Sequence, residues 1–140
     1  MERLIINIDG ACRGNPGPAS YGVVVQDSSG RILKKLKGFI GTATNNIAEY
    51  SAFIQALKFI EANPVDSVEI RSDSELLVKQ IKGLYKVKSP NLKGFYNSAI
   101  KLIKRIGPMK ITHVPRSENQ IADKLANEAL DALTNQKPLF

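Results

Sequence analysis

The sequence predicts a single α/β domain built on a mixed five-stranded sheet with helices on both faces. Residues 4–8 are almost continuously apolar, as in a central strand covered on both sides. Two more strand patterns follow at hairpin spacing, so the first three strands should be antiparallel neighbours. The later strands are separated by helices, which implies parallel crossovers. The predicted order is β-β-β-α-β-α-α-β-α.

Turn residues and hydrophobic periodicity set the limits of these elements. The first strand is expected to stop at Asp9-Gly10, before a loop rich in Gly and Pro. Asn63-Pro64 ends the first helix. Strands are expected at residues 4–8, 21–26, 31–40, 67–70 and 109–114, and helices at 46–61 and 92–106.

Two capping-box patterns predict the remaining helices. Ser72-x-x-Glu75 opens a helix that runs to about residue 81, and Ser117-x-x-Gln120 opens a last helix that runs to about residue 133. We expect residues 1–134 to form one domain and residues 135–140 to be a short C-terminal tail.

Composition excludes several classes of protein. Of the 140 residues, 43% are hydrophobic, which is enough for a core. A single Cys excludes an internal disulfide, and with a single His it excludes a zinc-finger ligand set. No apolar run is long enough to span a membrane. We expect a cytoplasmic monomer that does not bind membranes.

The positive charge is concentrated in one part of the chain. The formal net charge is +7, and residues 76–117 contain 10 of the 20 Lys and Arg residues but no Asp or Glu. For any single Lys, a solvated helix face is the simpler interpretation. A long basic stretch without acids favours a polyanionic partner, and nucleic acid in particular.

Four carboxylates lie at positions typical of a functional site. Asp9 ends the first strand, Glu49 lies in the first turn of the first helix, Asp73 follows the fourth strand and Asp123 lies early in the last helix. Ligands gather at the strand ends of such sheets. Carboxylates brought together there repel, and hard cations such as Mg²⁺ or Mn²⁺ relieve that repulsion.

Each carboxylate also has a structural interpretation. Glu49 could complete a helix cap with Asn46, and Asp73 could be an acid in the first turn of a helix, which the helix dipole favours. Asp9 could start a turn, and Asp123 could be a surface acid. Glu49, however, shares a helical face with Phe53, Ala56 and Ile60, where an unpaired carboxylate is unfavourable.

Four motifs surround the four carboxylates. The first is residues 9–22, Asp-Gly-Ala-Cys-Arg-Gly-Asn-Pro-Gly-Pro-Ala-Ser-Tyr-Gly, and the second and third are residues 44–49 (Thr-Asn-Asn-x-Ala-Glu) and 72–74 (Ser-Asp-Ser). The last is residues 113–126 (His-Val-Pro-Arg-x-Glu-Asn-x-x-Ala-Asp-x-Leu-Ala). In residue types and order these motifs resemble those of the type 1 ribonuclease H family, and they cover nearly the whole chain.

The resemblance implies a ribonuclease H-like fold and an endonuclease that hydrolyses the RNA strand of RNA–DNA hybrids with little sequence preference. Asp9, Glu49, Asp73 and Asp123 would be catalytic and would hold two Mg²⁺ ions, with Mn²⁺ as the alternative ion. One ion would activate the attacking water and the other would stabilise the leaving 3′-oxygen. The products would carry 5′-phosphate and 3′-hydroxyl ends.

The resemblance also implies the substrate contacts. Asn15, Asn45 and the backbone of residues 11–13 would reach the RNA minor groove and its 2′-hydroxyls. Thr44, beside Asn15, would hold a DNA phosphate at a helix N-terminus. The full predicted substrate-binding set is Gly10, Ala11, Cys12, Arg13, Asn15, Thr44, Asn45, Tyr85, Lys86, Lys88 and Asn119.

The sequence departs from the family pattern at three places. The loop before the last Asp is too short for the catalytic His of many members, and Arg116 is our candidate for its place. Glu75 occupies a position, two residues after the third carboxylate, where family members often have Gln. A role in a helix capping box also explains a Glu at this position. The chain resembles a short form without the long basic protrusion of some members, because residues 83–92 leave no room for one.

A reduced basic element remains in that short link. Tyr85 could stack on a DNA sugar or base, and Lys86 and Lys88 could contact phosphates. A packing residue at a helix end is an equally weighted interpretation of Tyr85.

Two rival functions stay open on the sequence alone. One is a DNA-directed nuclease on the same fold, and the other is a non-catalytic module that binds hybrid or double-stranded RNA. The intact carboxylates argue against a pure binding module. Double-stranded RNA stays a further candidate substrate.

Overall fold

The computed structural model describes residues 3–134 and contains one five-stranded sheet with the strand order β3-β2-β1-β4-β5. The predicted element order is confirmed, with a 3₁₀ turn (Arg116–Glu118) added before the last helix. The strands are β1 Arg3–Cys12, β2 Gly17–Asp27, β3 Ile32–Ala43, β4 Ser67–Ser72 and β5 Lys110–His113. The helices are α1 Asn45–Ala62, α2 Glu75–Ile81, α3 Pro90–Ile106 and α4 Gln120–Thr134. The predicted tail over residues 135–140 lies outside the described residues.

Strand pairing agrees with the predicted mixed sheet. β2 is antiparallel to both β1 and β3, whereas β4 is parallel to β1 and β5 is parallel to β4. The predicted end of β1 is wrong, because this strand continues through Asp9 to Cys12. Its antiparallel partner β2 continues along it, while its parallel partner β4 stops at the pair Ile8 and Ser72. Asp9 therefore lies just beyond the place where one neighbouring strand ends.

Helices cover both faces of the sheet, as expected. α1 packs on β1 and β2, and α3 packs on α1. α4 packs on the opposite face, against β1, β2 and β3. Alternate residues of β2 show the two faces: Val23 and Val25 join the core with α1, while Val24 packs against Ala122 and Leu125 of α4. Within residues 3–134, no helix is long and apolar enough to cross a membrane.

The helix starts differ from the predicted capping boxes. Ser74, not Ser72, caps α2 by accepting a hydrogen bond from the Leu77 N–H, because Ser72 is still the last residue of β4. Asp73 therefore precedes the helix and is not in its first turn.

The other two helices beside the site also begin elsewhere. Thr44 caps α1 through the Ile47 N–H, so Glu49 is the fifth helical residue and lies beyond the first turn. Ser117 lies in the 3₁₀ turn, and α4 begins only at Gln120. The Asn119 carbonyl accepts the N–H of Asp123 at 3.1 Å, which places Asp123 in the first turn of α4.

Two glycines allow α1 and α4 to approach the sheet closely. A Cβ atom at Gly10 would lie 2.3 Å from the carbonyl carbon of Ala48 in α1. A Cβ atom at Gly22 would lie 2.3 Å from the carbonyl oxygen of Ala122 in α4. Gly22 is also the β2 residue opposite Asp9. The helices that carry Glu49 and Asp123 can therefore reach Asp9 because these positions have no side chain.

We predict that Gly22→Ala destabilises the protein by about 2 kcal/mol or more, because the added methyl group would displace the backbone of α4. Urea unfolding measures this change. Gly94→Ala is the matched control: Gly94 lies within α3, and a Cβ atom there would meet no atom within 4 Å outside its own helix backbone. We expect the control to stabilise α3 by up to about 1 kcal/mol. Equal unfolding free energies for the two variants would contradict the close approach of α4.

Candidate active site

The four predicted carboxylates line one open pocket of about 410 Å³ at the carboxyl end of β1. Asp9 comes from β1, Glu49 from α1 and Asp123 from α4, while Asp73 lies between β4 and α2. The site forms there because β4 stops while β1 continues. Its remaining lining residues are Gly10, Ala11, Cys12, Asn45, Arg116 and Asn127.

Three of the carboxylates are placed to share one ion. One oxygen atom each of Asp9, Glu49 and Asp73 lies within 4.8 Å of the others. Asp123 is outside this trio but is within hydrogen-bond reach of Asp9. Asp9 is thus the central carboxylate, because it interacts with Glu49, Asp73 and Asp123.

Burial and mutual repulsion make this arrangement unfavourable for charged carboxylates. Asp9 is 5% exposed, and its burial raises its pKa, with further contributions from the charges of Glu49 and Asp73. Burial is also the largest cause that raises the pKa of Glu49, followed by the charge of Asp73. Hydrogen bonds from Asp9 and from the Gly10 N–H lower the pKa of Glu49 without reversing this shift.

One carboxylate oxygen of Glu49 indicates that the site can take a cation. Among the described residues, Oε2 of Glu49 is a buried side-chain atom without a hydrogen-bond partner. Buried polar atoms are normally paired, and an unpaired one needs an explanation. A divalent cation would satisfy this atom and offset the repulsion between the carboxylates. An all-oxygen donor set fits Mg²⁺ or Mn²⁺.

A chain of side-chain amides, of which Asn7 and Asn119 are buried, connects the start of α4 to β1. Gln26 donates to Asn7 Oδ1 at 3.1 Å, Asn7 donates to Asn119 Oδ1 at 3.1 Å, and Asn119 donates to the Ile8 carbonyl at 2.8 Å. These bonds hold the residues before Asp123 beside Asp9. Sequence reasoning missed Asn7 and Gln26, because the bonds join residues far apart in the chain.

The burial of Asn119 does not favour the substrate contact that the sequence predicts for it. The residue is 1% exposed, and its side chain bonds to Asn7 and to the Ile8 carbonyl. These bonds connect the residue before α4 to β1.

Arg116 lies at the open side of the pocket. Its side chain is 82% exposed, and its Nη2 atom lies 3.9 Å from Oδ1 of Asp123. Asn127, which the sequence did not single out, donates to the same Oδ1 at 3.1 Å. Its helical spacing of four from Asp123 is the signal that could have indicated it.

The predicted substrate-binding loop meets the start of α1. Asn15 accepts the N–H of Asn45 through its Oδ1 atom at 3.1 Å, and the Asn15–Pro16 peptide bond is cis. Gly10, Ala11, Cys12 and Asn45 line the pocket itself. The Cys12 sulfur lies 3.0 Å from the Ala43 carbonyl oxygen, and Arg13 pairs with Asp131 of α4. Two separated motifs thus form one surface beside the carboxylates.

Comparison with known proteins identifies the family. A family model described as reverse transcriptase-like matches residues 7–129. A ribonuclease HI of Halobacterium salinarum is 46% identical over 129 residues, which cover 92% of this chain and 65% of that protein. A ribonuclease H of Ruthia magnifica is 31% identical over 150 residues, which cover 96% of this chain and 99% of that protein. The chain belongs to the type 1 ribonuclease H family of enzymes.

Solved structures of family members share the fold. LC11-RNase H1, solved in complex with an RNA/DNA hybrid, superposes with a TM-score of 0.90 at 43% identity, covering 94% of this chain and 99% of that one. The RNase H1 of Halobacterium salinarum gives a TM-score of 0.88 at 44% identity, covering 93% of this chain and 98% of that one. The chain spans only 65% of the length of the curated Halobacterium relative and 36% of a related Mycobacterium tuberculosis bifunctional protein.

The reduced basic element lies apart from the pocket lining. Tyr85, Lys86 and Lys88 are in the link between α2 and α3, and neither lysine lines the pocket of carboxylates. The Tyr85 hydroxyl accepts from Lys79 Nζ at 3.2 Å, and that ammonium lies 4.9 Å from the ring centroid. Lys79 also pairs with Glu75 at 2.6 Å. Tyr85 is therefore held against α2.

We predict that the metal-free protein loses stability as pH rises above about 4, the unfolded carboxyl pKa. The folded state keeps protons on carboxyls whose pKa is raised, while the unfolded state releases them, so the free energy of unfolding falls with pH. Asp9→Asn should flatten this dependence and raise the Tm at pH 8 by at least about 2 °C. Thermal unfolding in chelator between pH 5 and pH 8 measures both effects.

Glu118→Gln, which changes an exposed acid of the 3₁₀ turn, is the control and should keep the wild-type dependence. A wild-type Tm in chelator that rises steadily from pH 5 to pH 8 would contradict the repulsion between the carboxylates around Asp9.

Proposed function

We propose that this chain is a metal-dependent endonuclease that hydrolyses the RNA strand of RNA–DNA hybrids. The observation that carries the proposal is the cluster of carboxylates around the buried Asp9, in which a buried Glu49 oxygen has no hydrogen-bond partner among the described residues. The names of the relatives and the hybrid-bound LC11-RNase H1 support the substrate. We also propose that residues 1–134 act as a single domain.

The donor set is suited to two ions. Asp9, Glu49 and Asp73 would hold one, and Asp9 and Asp123 would hold the other, so Asp9 would serve both. We propose Mg²⁺, with Mn²⁺ as the alternative. When bound, the ions supply the Lewis acidity that activates water and stabilises the leaving 3′-oxygen, which gives 5′-phosphate and 3′-hydroxyl ends.

The protein itself supplies placement and charge. The fixed backbone of β1 holds Asp9 at the centre of the site, and α1 and α4 bring the flanking carboxylates to it. Arg116, beside Asp123 at the open side, would place a cation where negative charge develops on the leaving group. We assign Arg116 this role in place of the family's His.

The surface beside the carboxylates would read the shape of the hybrid. Asn15, Asn45 and the backbone of residues 10–13 would meet the RNA 2′-hydroxyls, which distinguish RNA from DNA. Thr44 with Asn15 would hold a DNA phosphate. Lys86 and Lys88, beside Tyr85, would add phosphate contacts farther along the duplex. Contacts of this kind depend weakly on base sequence. The monomeric state, the cytoplasmic location and cleavage of double-stranded RNA stay predictions of the sequence.

The decisive test is cleavage of an end-labelled RNA–DNA hybrid with Mg²⁺, with Mn²⁺ and with chelator. We expect metal-dependent cutting of the RNA strand alone, with 5′-phosphate products. Asp9→Asn should lower the cleavage rate at least about 100-fold, which is more than the loss typical of a residue that only hydrogen-bonds to a metal ligand. Glu61→Gln is the control, because Glu61 forms an exposed pair with Arg105 between α1 and α3.

The alternatives give different results in the same assay. Cutting of the DNA strand would favour a DNA-directed nuclease. Salt-sensitive binding without cutting in either metal would favour a non-catalytic binding module.

We predict that Arg116→Ala lowers kcat by about 10- to 100-fold, because it removes a cation near the developing charge. The KM for hybrid should change much less, since Arg116 is one of 20 Lys and Arg residues in the chain that can attract the substrate. Arg116→Lys should recover part of the loss. Steady-state kinetics at saturating Mg²⁺ would measure these values, and an unchanged kcat in Arg116→Ala would remove Arg116 from the proposal.

A further inference from the structure

Asp123 is less buried than Asp9, the other aspartate that it approaches. Asp9 is 5% exposed and lies within β1, whereas the Asp123 side chain is 32% exposed. Asp123 also lies outside the trio of carboxylates whose oxygens are mutually within 4.8 Å. A carboxylate that is partly exposed in the first turn of a helix can rotate, so burial alone does not fix the orientation of its two oxygens.

Asn127 supplies the missing constraint. It lies one helical turn after Asp123 on α4 and lines the same pocket. Its Nδ2 atom donates to both the main-chain carbonyl of Asp123 at 2.9 Å and the side-chain Oδ1 at 3.1 Å. The first contact anchors the amide on the helix, and the second uses that anchored amide to hold the carboxylate.

Asn127 is the hydrogen-bond donor to Oδ1 of Asp123, at 3.1 Å. Arg116 Nη2 lies 3.9 Å from the same oxygen, which is an ion-pair distance and too long for a hydrogen bond. The Asn127 amide therefore restrains this carboxylate more directly than the guanidinium does. Partners of this kind orient metal ligands and typically contribute strongly to metal affinity.

We propose that Asn127 is a positioning residue that orients the Asp123 carboxylate for a divalent metal ion. This inference rests on the proposed function, because it requires Asp123 to be a metal ligand. The amide acts through Asp123 and needs no contact with substrate. The simpler alternative is a side-chain contact that only stabilises the helix backbone.

The test is calorimetric titration of the protein with MnCl₂ in the absence of nucleic acid. We expect Asn127→Leu, similar in size but without a donor, to weaken Mn²⁺ binding about 10-fold. Asn127→Gln keeps the donor and should retain most of the wild-type affinity. Glu128→Gln changes the next residue of α4, which pairs with Lys37 at 3.3 Å, and should bind Mn²⁺ as the wild type does.

Hybrid kinetics give a second readout. The Asn127→Leu rate should recover toward the wild-type rate as MnCl₂ is raised, with the KM for hybrid changed by less than about twofold, because the amide acts on the metal ligand. A residue that contacts substrate would instead shift the KM at saturating metal. If Asn127→Leu does not fold, Asn127→Ala carries the same test.

The wild type and Asp123→Asn separate the possible failures. A wild type that binds no Mn²⁺ would overturn the proposed function together with this inference. A second outcome would overturn the inference alone. In it the wild type binds Mn²⁺, Asp123→Asn weakens that affinity, and both Asn127→Leu and Asn127→Ala leave it unchanged. Unchanged Mn²⁺ affinity in Asp123→Asn would likewise overturn it.

Discussion

Repulsion between the closely spaced carboxylates around the buried Asp9 is the constraint on which the functional part of this structure depends. Asp9 is buried, Glu49 and Asp73 lie within ligand distance of it, and one Glu49 oxygen has no partner among the described residues. Uncompensated buried charge is unfavourable, so the fold must hold these groups together by other interactions. A bound cation turns the same arrangement from a destabilising feature into a stabilising one.

Those other interactions come from backbone contact and from buried amides. Gly10 and Gly22 let α1 and α4 lie directly on the strands, and the bonds from Asn7 to Asn119 tie the start of α4 to β1. Because helices and strands are rigid, fixing them also fixes the carboxylates they carry. Of the ten cations in residues 76–117, Arg116 lines the pocket, and Lys86 and Lys88 lie outside its lining. Attraction of a polyanion can therefore use surface beyond the carboxylates.

The sequence predicted the fold well where the pattern is local. Apolar runs, hairpin spacing and helical periodicity indicated the strand and helix order, and all four carboxylates line one pocket. Boundaries were predicted less well. Gly10 suggested a turn, yet β1 continues because β2 pairs with it as far as Cys12. Ser72 matched a capping box, yet the pairing of β4 with β5 keeps it in a strand, so Ser74 caps α2.

The sequence by itself determined the order of the strands and helices and indicated the four carboxylates that line the pocket, because these signals depend on residue type and local spacing. Only the tertiary structure decided how those residues are oriented. The buried position of Asn119, the contact of Asn127 with Asp123 and the unsatisfied oxygen of Glu49 depend on where α1 and α4 sit on the sheet. Hydrophobic patterns specify which face of a helix is buried, but the close approach of two backbones is set by packing between residues far apart in the chain.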